Sequence, residues 1–201
     1  MLDKCPYLFW AYREWGVKAL VAMGRKTEAL HYAEASRGLN EPVGQIAEAC
    51  EAILLSSGLA DEAYQRYAFD ANQAGTYLAK FGAICRKYPH KKPEAILEDL
   101  VASTPGDEGK WFAAAKNAKL YGLAVKLAQK SPVDHRTLMR AAEDFATTEP
   151  LFALNSGLMA LYWICAGRAY DVTTGEILTV YDLILSAAKV AQCKETALKQ
   201  I

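Results

Sequence analysis

The run Ser131-Pro132-Val133-Asp134-His135-Arg136 brings a hydroxyl, a carboxylate and an imidazole within six positions. That is the side-chain set of nucleophilic acyl transfer. Triad members converge from distant segments, however, and a nucleophile elbow needs flanking glycines that are missing here. The same letters read as a helix start, with Ser131 as N-cap, Pro132 at the first helical position and Asp134 near the positive end of the helix dipole. No catalytic residue is assigned. Arg86-Lys87-Tyr88-Pro89-His90-Lys91-Lys92 concentrates cations in a loop. Arg86, Lys87, His90, Lys91 and Lys92 suit a phosphate or an acidic peptide. They also suit a solvated loop whose charge complements a helix C-terminus. No glycine-rich phosphate loop lies nearby, and Tyr88 alone is no stacking platform for bases.

Metal chemistry finds little support. Cys85 and His90 are close, but no second pair completes a four-ligand set. Glu48 with Glu51, and Glu143 with Asp144, lack the Glu-x-x-His spacing of a di-iron bundle and read as solvated helix faces. Cys50 and Cys85 read as core packing. No metal and no cofactor are expected. The N-terminal run is different in kind: Tyr7, Phe9, Trp10, Tyr12 and Trp15 place five aromatics in nine positions. One reading makes Tyr7, Trp10, Tyr12 and Trp15 a docking surface for a partner protein, a second copy of the chain or an upstream segment. The other packs these rings into the core.

Composition bounds the rest. The chain has 201 residues, enough for one domain or a short repeat array, and its 52% hydrophobic content allows a packed core. Its 23 basic and 23 acidic residues cancel, which removes any general pull toward nucleic acid or an anionic membrane. Five widely spaced cysteines, an odd number without a C-x-x-C, read as reduced thiols in the cytoplasm. The N-terminus shows no basic start followed by an apolar run, so no signal peptide is read there. The uncharged stretch Leu151 to Gly167 is shorter than a membrane span and is expected to be a buried helix. Tyr162 to Cys165 is expected at the centre of the C-terminal core, with Arg168 and Asp171 paired if that helix continues.

These residues must be positioned by helices, since apolar positions recur at helical spacing and strand-like alternation is nearly absent. Breaker residues predict helices over Leu8–Met23, Thr27–Gly38, from Pro42 to about Ser57, Ala60–Asn72, Thr76–Tyr88, Pro93–Ser103, two within Glu108–Lys130, Ser131–Thr147, Pro150–Gly167 and one from a capping box at Thr173. Asn40-Glu41-Pro42 reads as a cap with a first-turn proline, and Asp107 as a further N-cap. The tail from Lys194 reads as a continuation in helix.

Internal repetition organises these helices. Gly24-Arg25-Lys26-Thr27-Glu28-Ala29 matches Gly58-Leu59-Ala60-Asp61-Glu62-Ala63, 34 residues later, the tetratricopeptide period. Pro93-Glu94-Ala95 and Tyr121-Gly122-Leu123-Ala124 are read as third and fourth hairpin starts. Residues 24–36 and 58–70 resemble the second halves of tetratricopeptide repeats, with Trp15-Gly16 and Leu20, and Ala49, Ala52 and Leu55, in the first-helix neighbourhoods. The stretches Trp111–Lys116, Ser131–Leu138 and Ala142–Ala146 are similar to the C-terminal part of a bacterial family of uncharacterised proteins. That likeness implies a bacterial source and a longer pattern of which this chain is the C-terminal portion; it implies no activity.

The expected fold is all-α, a right-handed superhelix of four to five tetratricopeptide-like hairpins. Residues 1–104 form the repeats and 105–201 a C-terminal bundle continuous with them. Such arrays present a groove along the first helix of each hairpin. The expected function is a non-enzymatic protein–protein interaction or scaffold module with a protein or peptide partner, or a homodimer, and without nucleic acid or membrane. A small-molecule or phosphate-binding regulatory domain at the basic loop is the alternative.

Overall fold

The computed structural model describes residues 9–38 and 42–193, and these are all-helical, with no strand among them. Eleven α-helices follow in order: α1 (Trp10–Ala22), α2 (Lys26–Glu34), α3 (Val43–Leu55), α4 (Ala60–Ala71), α5 (Tyr77–Lys87), α6 (Pro93–Ala102), α7 (Phe112–Asn117), α8 (Tyr121–Lys130), α9 (His135–Asp144), α10 (Pro150–Cys165) and α11 (Thr174–Val190). A 3-10 turn at Glu108–Trp111 leads into α7. Tyr7, Asn40, Glu41 and the tail from Lys194 lie outside the described residues. The chain divides into two compact units, residues 1–91 and 92–201.

In the first unit, α1 pairs with α2 and α3 with α4, and α2 packs on α3. The turn that closes each pair is the same object. Gly24 and Gly58 both sit at φ 75°. The N–H of Gly24 donates to Val21 O and that of Arg25 to Leu20 O, just as Gly58 donates to Leu55 O and Leu59 to Leu54 O. This pair of hydrogen bonds satisfies carbonyls that a helix end would orphan. Arg25 (φ −85°, ψ 56°) and Leu59 (φ −97°, ψ 53°) then start the next helix. Four residues on, Ala29 and Ala63 are fully buried, where the missing side-chain bulk brings the second helix against the first.

The second unit repeats this turn between α7 and α8, and the same pair of bonds also ends α10 at Gly167 (φ 68°) and α11 at Gln192 (φ 56°). Lys119 takes the left-handed conformation (φ 60°) that glycine takes above, and Leu120 donates to Ala115 O. Leu120 has φ −88° and ψ 60°, and Ala124 is fully buried. The fourth hairpin start is therefore the same device without its glycine. The third is not: Ala95 is exposed, and Pro93 simply opens α6 at its first position. The core of this unit is α10, packed against α8, α9 and α11. Phe152 anchors it, stacked on Phe112 and in edge or tilted contact with Phe145 and Tyr121. Trp163 Nε1 donates to Ala128 O at 2.9 Å. Gly157 passes so close to α11 that a Cβ there would stand 2.8 Å from Ile184 Cγ1.

Several local expectations need correction. Pro42 stands before α3 at its N-cap rather than in its first turn. Asp107 stands at the N-cap of the 3-10 turn, but its carboxylate makes no cap hydrogen bond there and instead takes the Lys110 ammonium at 2.9 Å. Asp134, not Ser131, caps α9, accepting from the Thr137 N–H at 2.9 Å. The helix after Pro150 ends at Cys165 and Gly167 (φ 68°) turns the chain away, so Arg168 and Asp171 stand outside it. Of the run expected at the core centre, Trp163 is buried while Tyr162 and Cys165 are exposed. Among the described residues no helix is long and apolar enough to cross a membrane. The capping box at Thr173 forms as read, with Thr173 Oγ1 accepting from Glu176 N and Glu176 Oε2 from Thr173 N.

Candidate functional site

The first unit carries a cleft of about 840 Å³ between α1 and α3, the first helices of its two hairpins. On α1 its wall is Trp10, Glu14, Val17, Lys18 and Val21, and on α3 it is Gln45, Glu48, Ala49, Ala52, Ile53 and Ser56. The spacings are threes and fours, so each set is a single helix face. Alanine at 49 and 52 explains the opening, because larger residues at these points would fill it. Trp10, Val17 and Ile53 are buried and make an apolar floor. Polar groups stand at the rim. Lys18 Nζ reaches Glu14 Oε1 at 2.5 Å and lies 5.2 Å over the Trp15 ring. Glu48 is exposed and makes no ion pair among the described residues.

The aromatic run divides. Trp10 is 3% exposed and lines the cleft, whereas Tyr12 and Trp15 are 63% and 71% exposed and do not line it. Tyr7 lies outside the described residues. The expected pairing of Glu48 with Glu51 as one solvated face also fails, because Glu51 is 1% exposed. Its carboxylate accepts from Tyr88 Oη at 2.6 Å, Asn72 Nδ2 at 2.8 Å and Lys87 Nζ at 2.6 Å, holding together α3, the end of α4 and the end of α5. Burial, then the bond to Glu51, pushes the Tyr88 hydroxyl far above the ordinary tyrosine range.

The cationic run is not a single loop, since Arg86 and Lys87 form the last turn of α5, and it is largely engaged in the same way. Lys87 serves Glu51, while Lys91 and His90 stand 3.2 and 3.4 Å from Asp61 Oδ1. Lys91, followed by His90, holds the Asp61 carboxyl below its usual range. Lys91 also lies 4.4 Å over the Tyr64 ring. Arg86 and Lys92 are exposed. A second charged cluster joins α2 to α4: Glu34 accepts from both Arg66 and Tyr67 Oη. Burial works against the Glu34 carboxylate, and these two donors outweigh it, leaving the group below its usual range. Cys50 is a buried thiol that desolvation, followed by the Glu34 charge, raises to about 11, so it is an inert core group.

Residues 131 to 136 do not assemble a hydrolytic site. The Ser131 hydroxyl accepts from the Gly109 N–H at 2.7 Å. His135 is 2% exposed; its Nδ1 lies 3.7 Å from Asp134 Oδ1 and its Nε2 3.7 Å from Glu176 Oε1, beyond hydrogen-bond reach. Arg136 Nε donates to Glu176 at 2.8 Å, tying α9 to α11. The Arg136 guanidinium, then the Thr173 N–H, bring the Glu176 carboxyl down to about 2. Among the described residues no group of three or more His, Cys, Asp or Glu side chains is placed to hold a metal ion. Comparison of the chain with family models, with curated proteins and with solved structures gave no match.

Proposed function

We propose that the chain is a tetratricopeptide-like helical-hairpin module whose α1–α3 cleft holds a segment of another protein. The observation that carries this reading is the cleft itself: an apolar floor between two first helices, with glutamates at its rim. Glu14 is committed to Lys18, which leaves Glu48 as the uncompensated charge. The segment that complements this wall carries apolar side chains for the floor and a lysine or arginine for Glu48. The four free thiols among the described residues suit a reducing compartment, so the partner is sought in the cytoplasm, in a bacterial host given the resemblance of residues 111–146. A phosphate-binding role for the basic loop has less support, because Lys87, His90 and Lys91 already answer Glu51 and Asp61.

The test is selection from a random peptide library on the intact chain, followed by titration of the enriched peptides. Enriched peptides should combine apolar residues with a cation. Ala52→Arg, which obstructs the cleft from an exposed position, should weaken them at least about tenfold, or about 1.4 kcal/mol. Glu48→Lys should shift the preference toward acidic peptides. Peptides that bind the Ala52→Arg protein unchanged would refute the assignment.

A further inference from the structure

The turn that ends α11 is the turn that joins the helices of each hairpin. Gln192 holds φ 56°, its N–H donates to Lys189 O, and the Cys193 N–H donates to Ala188 O. After α1, α3 and α7 the same turn, at Gly24, Gly58 and Lys119, leads directly into a second helix. Counting from the left-handed residue aligns the four cases. Five positions on stand Ala29, Ala63 and Ala124, all fully buried, and after α11 stands Ala197. Nine positions on stand Ala33, Tyr67 and Ala128, all buried, and after α11 stands Ile201. Three and seven positions on, the three hairpins are exposed throughout, and here the residues are Glu195 and Lys199. Residues 194–201 lie outside the described residues, but their letters follow the burial pattern of a second helix. The turn at Gly167 is followed by no such pattern: Val172 stands at the fifth position, Asp171 holds φ 50°, and no helix starts before Thr174.

One edge of α11 shows the other half of the contact. Seven positions before the left-handed residue, Val17, Glu51 and Phe112 are buried, whereas Leu185 is half-buried. Three before, Val21, Leu55 and Lys116 are half-buried, whereas Lys189 is exposed. Eleven before, Ala47 is buried and Arg13 and Glu108 half-buried, whereas Tyr181 is 38% exposed. At all three places α11 is the least covered of the four helices. We propose that residues 194–201 cover this edge, turned back on α11 as the second helix of a hairpin, with Ala197 beside Ala188 and Ile201 beside Leu185. The register comes from the first hairpin, where Arg13, eleven before the turn, donates to Ser36, twelve beyond it, at 3.1 Å. Stepping toward the turn by helical periods sets position nine against seven or eight, and five against four. Gln192, a non-glycine residue in the left-handed conformation, stops α11, so the new helix does not run straight on. Eight residues make little helix alone, and packing on this edge is what holds them.

Two NMR measurements on the full chain read this contact. The amides of residues 197–200 should exchange at least about tenfold more slowly than in an unstructured peptide. Methyl-labelled protein should give a nuclear Overhauser contact between Ile201 and Leu185. Ala197→Arg, which puts bulk into the seam from outside the described fold, should abolish both signals. Lys199→Ala, at an outward position, should leave both in place. Unprotected amides in the wild type overturn the proposal, and so does protection without the Ile201–Leu185 contact. Survival of both signals in the Ala197→Arg chain overturns it too. A contact seen only between labelled and unlabelled copies also overturns it, and gives the edge of α11 to a second chain. None of these readings depends on the α1–α3 cleft.

Discussion

Removing the Glu51 carboxylate should do more damage to the first unit than any other single change of an ionic side chain. Glu51 is buried with three donors converging on it. In Glu51→Ala the Tyr88 hydroxyl, on a residue 0% exposed, loses its acceptor, and the Asn72 amide keeps only Ala68 O at 2.7 Å. A stranded buried donor costs about 1–3 kcal/mol. The Lys87 side chain is 34% exposed and swings into water, so no cation is stranded. The stranded hydroxyl, the one amide N–H that loses its partner and the lost packing together give about 2–4 kcal/mol. Lys87→Met is a different loss: the carboxylate keeps two neutral donors and forfeits one charged bond, about 1.5–3 kcal/mol. The two changes share a partner, so the double variant should fall short of the sum of the singles by about 0.5–3 kcal/mol. Urea unfolding followed by circular dichroism measures the singles and the cycle. Hydrogen exchange of the α3, α4 and α5 amides locates the loss. An Glu51→Ala change costing under about 1 kcal/mol, or a strictly additive cycle, would refute the claim that this carboxylate organises the unit.

The turns and the acid response give further expectations. Gly24→Ala and Gly58→Ala should each lose about 1–2 kcal/mol by urea unfolding, purely through the backbone, since a Cβ at either position meets nothing within 4 Å. Lys119→Gly should gain up to about 1 kcal/mol by relieving the same strain at φ 60°; a loss would contradict the equivalence of the three turns. Glu176 sits near 2 when folded and at 4.5 in its reference state, so its contribution is complete above pH 4.5 and disappears as the pH falls toward 2. The melting temperature should fall across that window in the wild type and less steeply in Glu176→Gln, and equal slopes would remove Glu176 from the account.

Sequence reasoning succeeds here where one residue type does one job. Prolines 93 and 150 open helices, and Thr173 with Glu176 closes a capping box, because those functions depend on near neighbours alone. It falters where the job depends on what lies across the fold. Ser131 and Asp134 are both plausible caps by type, and only the approach of Gly109, whose added Cβ would lie 2.3 Å from Ser131 O, decides that Ser131 serves another segment. Glu48 and Glu51 are three residues apart on one helix, yet one faces solvent and the other meets Lys87 and Tyr88 from 36 and 37 positions along the chain. Lys87 was legible as part of a cationic loop for the same reason that its purpose was not: charge is local and its partner is distant.

The alanines make the same point about the cleft. Ala29, Ala63 and Ala124 follow equivalent turns and are fully buried, so their smallness is consumed by helix contact. Ala49 and Ala52 are equally small, but they face the space between α1 and α3, where smallness becomes open volume. Nothing in the letters separates these cases. The turn does: where Gly24, Gly58 and Lys119 hold one conformation and the next helix starts directly after it, the flanking helices are first and second of a pair. The first-helix alanines then stand on the groove side and the second-helix alanines in the seam. The hairpin turn is thus kept within the chain as a backbone conformation more than as a residue pattern. That is why it fades from view where lysine, at a strain of roughly 1 kcal/mol, does the work of glycine.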